Sequence, residues 1–168
     1  MLRDPVDRLV SLYQHVTRRP EHRLYPAIVG LGLTLDQCVA ADVGGSFRNW
    51  YTVHFSGLTL DEAERLQNNA VLEAESVVRH AYDCVGFLED YDAFIREVSE
   101  RAHFRRQPPQ RRLNVGCERS SPPLLSSSVR AAIEDMNRLD ILLYARLKAG
   151  VGQRDPRRAA AHNGHERV

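Results

Sequence analysis

MLRDPVDRLVSLYQHV, residues 1–16, decides how the rest of the chain is read. Asp4-Pro5 is a helix start. An aspartate carboxylate can accept the first free backbone N–H groups, and a proline at the first helical position loses nothing by lacking one. Val6, Leu9, Val10, Tyr13 and Val16 then share one face at helical spacing, with Arg8, Ser11 and His15 opposite as solvated residues. Arg18-Arg19-Pro20 ends the helix, its basic residues suiting a carboxyl end. Ahead of the helix stands only the apolar pair Met1-Leu2. If that pair is the tail of a strand, Arg3 sits at a strand's carboxyl end, where α/β folds place ligand sites.

Working outward, Thr34-Leu35-Asp36 marks a short helix and Gly44-Gly45-Ser46 a loop. The aromatic stretch SFRNWYTVHFSG, residues 46–57, is compatible with a short helix or an irregular crossing. Thr59 and Glu62 have capping-box spacing and open one long helical stretch running towards His80. YDCVGF, residues 82–87, is a short apolar run that reads as a buried strand. Leu88, Tyr91, Phe94, Ile95 and Val98 then share a helix face, and RRLNVG, residues 111–116, looks like a second short strand. SSPPLLSSS leads to the cap of a last helix, Ser127 to Lys148, carrying Val129, Ile133, Met136, Leu143 and Leu147. Two strands separated by a helix cannot pair as a hairpin, so the order implies a parallel β-α-β arrangement. From Gly150 onward the chain is polar and unpatterned, which predicts a disordered tail over 150–168.

Composition narrows the function classes. The 168 residues suffice for one modest core, and a net charge of +1 supplies no field that would select nucleic acid or an anionic membrane. No apolar run approaches the roughly 20 residues that span a bilayer. The 3 cysteines, Cys38, Cys84 and Cys117, have neither zinc nor disulfide-framework spacing, and a reducing cytoplasm is the expected setting. His22, His54 and His80 have no partner at metal-ligand spacing, so no metal is expected. Among 23 basic residues Lys148 is the one lysine.

The segment LRDPVDRLVSLYQHV resembles the 3′-phosphate-binding segment of the sulfotransferases, nearest in look to the carbohydrate group that includes heparan sulfate 2-O-sulfotransferases. Arg3, Asp4, Pro5, Arg8 and Ser11 match its R-D-P-x-x-R-x-x-S pattern. YDCVGFLEDYDAFIREV is similar to that family's late strand-helix unit. LNVGCERSSPPL is similar to the segment returning to the nucleotide, and IEDMNRLDILLY to the terminal helix. The resemblance implies an α/β fold, here a mostly helical remnant of a P-loop-like three-layer fold with a few short parallel strands, over residues 1–149. It implies transfer of a sulfuryl group from 3′-phosphoadenosine 5′-phosphosulfate to a hydroxyl acceptor, typically on a carbohydrate. Arg3 and Ser11 would contact the 3′-phosphate, with Asn114 and Arg119 as further cofactor-binding residues.

The chemistry suits the first pair. A guanidinium offers planar paired donors to a phosphate, and a hydroxyl adds a neutral donor beside it. The alternatives are plain: Arg3 as a solvated residue beside a helix start, Ser11 as a surface serine, Asn114 as a strand-end amide and Arg119 as a loop charge. Asp140, among apolar helix positions, reads as a structural hydrogen-bonding residue.

No Gly-rich loop followed by Lys-Ser or Lys-Thr occurs in the sequence, and Lys148 matches nothing in such a motif. The expectation is therefore the C-terminal portion of a sulfotransferase lacking the loop that grips the 5′-phosphosulfate, with no catalytic base assigned and with little or no activity by itself. Two other readings stand beside it. One is a non-catalytic helical interaction module; the other is one half of an enzyme completed by a partner chain.

Overall fold

The computed structural model describes residues 1–45, 47–104 and 125–150. Nine α-helices account for most of them: α1 (Pro5–Thr17), α2 (Tyr25–Ile28), α3 (Leu35–Ala40), α4 (Trp50–Ser56), α5 (Leu60–Leu66), α6 (Asn68–Ala81), α7 (Tyr91–Arg101), α8 (Ser127–Met136) and α9 (Arg138–Ala149). The local chemistry explains several of their starts. Asp4 accepts the N–H groups of Val6 and Asp7 at 2.9 and 3.2 Å, with Pro5 at the first position of α1. Thr34 and Thr59 open α3 and α5 with complete capping boxes, paired with Gln37 and Glu62. Ser126 accepts the Val129 N–H at the start of α8.

The expected parallel strands do not form among the described residues. The α/β, three-layer expectation is therefore corrected to a helical fold, with about 70% of the described residues helical and no sheet among them. What remains of the idea is one isolated parallel bridge between Leu2 and Phe87. The Leu2 N–H donates to the Gly86 carbonyl at 2.7 Å, and the Leu88 N–H donates to the Leu2 carbonyl at 2.8 Å. The physical reason is extent. Pairing involves Leu2 alone on one side, because Asp4 already caps a helix two residues later, and such a short contact has no ladder to propagate. Nor is 82–87 buried throughout: Tyr82 and Asp83 are exposed, and only Gly86 and Phe87 are buried. The predicted strand at 111–116 and, apart from Gly150, which caps the end of α9, the predicted tail at 150–168 lie outside the described residues.

Two stretches expected as single helices are each broken in two. Gln67, between α5 and α6, adopts φ 52° and ψ −119°, which no helix accommodates. Asn137, between α8 and α9, leaves the helical region at φ −114° and ψ 24°. The aromatic stretch near Trp50 resolves as helix α4, entered through Asn49 in a left-handed conformation (φ 43°, ψ 38°).

Apolar side chains gather into two clusters. One joins α1, α2, α3 and α8 through residues such as Leu9, Ile28, Cys38, Phe47 and Ile133. The other joins α4, α5, α6 and α9 with the Leu2–Phe87 bridge, through residues such as Tyr51, Val71, Leu143 and Tyr144. Burying each large aliphatic side chain contributes about 1.5–3 kcal/mol, so both clusters matter to stability. The chain passes between them at Arg3-Asp4, again at Asn49 and again at Asn137. Asn49 and Asn137 meet through a hydrogen bond, and Arg3 is joined to α4 by its bond to Tyr51.

Candidate anion-binding corner

Arg3 occupies the turn between the Leu2 bridge and α1, and it is half-buried. Its backbone N–H donates to the Tyr51 hydroxyl at 3.1 Å. Among the described residues its guanidinium forms no salt bridge. Ser11 lies about two turns into α1, also half-buried, so neither member of the expected pair is sealed in the core. Asn114 and Arg119 lie outside the described residues.

The amino end of α1 cannot itself cradle an anion in this conformation. The Asp4 carboxylate already takes the N–H groups of Val6 and Asp7, and it carries a negative charge where a helix start would otherwise attract one. Any anion at this corner must be held by side chains. Arg3 is the cation best placed by sequence to do so.

Arg8 departs from the sequence expectation of a solvated helix-face residue. It is half-buried, its guanidinium 5.6 Å from the centre of the Trp50 ring and 5.4 Å from that of Tyr51. Burial pulls its ionisation down from the ordinary arginine value, while the negative charge of Asp140 opposes that shift. A cation against two aromatic faces and near a buried carboxylate is a packing element first. The pattern R-D-P-x-x-R thus contains two arginines in different environments.

Beneath Arg8 lies a polar network that no local pattern announces. Asp140, fully buried, accepts the N–H groups of Tyr51 at 2.9 Å and Thr52 at 2.8 Å, so it caps α4 from another helix. Burial pushes its carboxyl above the usual aspartate range, against the two backbone donors and the Arg8 guanidinium, which favour the ionised form. Asn49 returns the favour to α9, its side-chain oxygen accepting from Leu139 at 3.1 Å. The Asn137 amide oxygen accepts the Asn49 N–H at 3.1 Å, and its NH₂ group donates to the carbonyls of Phe47 and Ile133 at 2.9 and 3.0 Å. The structural role expected of Asp140 is therefore found; its partners could not be named beforehand.

Around the bridge stands a second polar group. The Tyr144 hydroxyl donates to the Glu89 carboxylate, which also receives Lys148 Nζ at 2.6 Å. Burial and Glu89 together push the Tyr144 phenol far above its ordinary value. The one lysine of the chain is thereby committed to Glu89. Trp50 remains 38% exposed, its ring stacked on His54 at 4.7 Å.

No family model, curated protein or solved structure matches this chain. Functional inference therefore rests on its residues and their geometry.

Proposed function

We propose that the Arg3 corner binds the ribose 3′-phosphate of 3′-phosphoadenosine 5′-phosphosulfate, and that the protein acts in sulfuryl transfer to a hydroxyl acceptor, most simply on a carbohydrate. The observation that carries the reading is the contrast between the two arginines of R-D-P-x-x-R. Arg8 is engaged with Trp50, Tyr51 and the field of Asp140. Arg3 keeps its guanidinium out of any salt bridge among the described residues, on a backbone pinned by Tyr51. A half-buried guanidinium with fixed backbone and unspent charge is suited to a phosphate, to which it can offer two parallel donors.

Ser11 supplies the neutral donor in this reading. The role of Arg3 extends only to holding the donor's ribose end. No described residue is assigned to the sulfonate or to the acceptor proton. The aromatic stretch around Trp50 would contribute to acceptor choice, since its exposed ring lies on the same helix as Tyr51.

The reading is tested by calorimetric titration of the 168-residue chain with adenosine 3′,5′-bisphosphate, the donor stripped of its sulfonate, and in parallel with adenosine 5′-phosphate. Saturable binding of the bisphosphate is expected, abolished by Arg3→Ala, weakened by Ser11→Ala and absent for the monophosphate. Equal affinity for both nucleotides, or a bisphosphate affinity that survives Arg3→Ala, would remove the basis for it. No described helix is long and apolar enough to cross a membrane.

A further inference from the structure

Three successive residues at the corner are pinned by three different elements. Leu2 is held on both its N–H and its carbonyl by the 86–88 segment. Asp4 is held by the helix that it caps. Between them, the Arg3 N–H reaches the Tyr51 hydroxyl, 48 positions away in sequence.

Tyr51 is itself fixed at both ends. Its backbone N–H donates to Asp140 at 2.9 Å, and its ring is buried under the Arg8 guanidinium. Phe55, one turn further along α4, stacks on the Tyr51 ring, with ring centres 6.2 Å apart. A buried, doubly anchored phenol is a rigid post, whereas the hydroxyl of a serine or a water at this place would be free to shift. Rigidity matters because a side chain that binds an anion from an ordered backbone loses less freedom on binding than one that must first settle.

We propose that Tyr51 is the positioning residue of the Arg3 corner, its hydroxyl fixing the backbone from which the Arg3 guanidinium reaches an anion. The inference rests on the reading of Arg3 as the phosphate-binding group. It assigns Asp140 a remote part in binding as well: Asp140 sets α4, α4 sets Tyr51, and Tyr51 sets Arg3. Tyr51 touches no nucleotide in this account. Its effect passes wholly through the Arg3 main chain.

The test compares the full chain with Tyr51→Phe and Val53→Ala, Val53 being a partly buried core residue of α4. The first keeps the ring beneath Arg8 and deletes only the hydroxyl; the second perturbs the same helix and leaves the hydroxyl in place. Binding of adenosine 3′,5′-bisphosphate, thermal unfolding and exchange of the Arg3 amide proton with solvent are measured for each. Tyr51→Phe is expected to weaken binding about five- to tenfold, the scale of one hydrogen bond, and to speed exchange at Arg3. Val53→Ala is expected to lower the unfolding temperature while leaving affinity and Arg3 exchange unchanged. Unchanged affinity in Tyr51→Phe, or an equal loss in Val53→Ala, overturns the inference and leaves the Arg3 reading standing. If Tyr51→Phe does not fold, Arg3 exchange measured in Asp140→Asn takes its place, and slow exchange there overturns the inference. Absence of binding by the unaltered chain overturns both.

Discussion

Asn49 and Asp140 cap each other's helices. The Asn49 side chain accepts the Leu139 N–H at the start of α9, and the Asp140 carboxylate accepts the Tyr51 and Thr52 N–H groups at the start of α4. Neither of the residues at these two helix starts, Asn49 and Asn137, uses its side chain on its own helix in the ordinary capping way. The exchange locks the angle between α4 and α9, and with it the place of Tyr51.

Asp140→Ala would strand two buried backbone donors and leave Arg8 without its nearest buried negative charge. A loss of about 3 kcal/mol in urea unfolding is expected, because hydrogen bonds to a charged group and their desolvation both count. Asp140→Asn keeps one carbonyl acceptor and should cost about half as much. A loss below about 1 kcal/mol for the alanine variant would show that α4 is not held from α9.

The two arginines of the first segment should separate cleanly. Arg8→Ala removes packing against Trp50 and Tyr51 and is expected to lower stability by about 1–2 kcal/mol. Arg3→Ala should change stability by no more than about 0.5 kcal/mol, since that side chain forms no ion pair among the described residues. Its cost should appear in bisphosphate binding. Equal destabilisation by both substitutions would contradict the distinction on which the functional reading depends.

Glu75 ties α6 to α9, meeting Arg146 Nε at 2.6 Å and Arg79 at 2.7 Å. Burial by itself would raise its carboxyl, but the two guanidiniums outweigh that and hold it below its ordinary value of 4.5. A depressed acid stabilises the fold above its unfolded pKa, and that stability is lost as pH falls through the folded pKa. The unaltered chain should therefore lose stability more steeply than Glu75→Gln on acidification below about pH 4.5. At neutral pH the variant should be weaker by about 1–2 kcal/mol, the gap narrowing towards pH 3. Parallel stability curves across that range would refute the assignment.

Gln67 holds a backbone conformation, φ 52° and ψ −119°, that side chains rarely adopt. Glycine meets no such penalty, so Gln67→Gly is expected to stabilise the chain by about 1 kcal/mol, reduced by loss of the Gln67 side-chain bond to the Glu64 carbonyl. Thermal unfolding reads the shift directly. A lower unfolding temperature would mean that the bond, and not the backbone, governs this junction.

Local chemistry was legible without coordinates. Asp4-Pro5, Thr34, Thr59 and Ser126 each open a helix where a side-chain acceptor within a few residues takes a free N–H, and such contacts need only sequence neighbours. The apolar stripe of α1 was equally plain, because helical spacing alone places Val6, Leu9, Val10 and Val16 together. Tertiary contacts decided the rest. Whether 82–87 becomes a strand depends on how many residues of the first segment can pair with it, and helix α1 begins too soon for more than Leu2. The break at Asn137 is held by Asn49, 88 positions away, and the burial of Arg8 by rings on α4. Arg3 and Arg8 look alike in a motif; the packing of a distant helix sets Arg8 against the Trp50 and Tyr51 rings, while Arg3 forms no ion pair among the described residues.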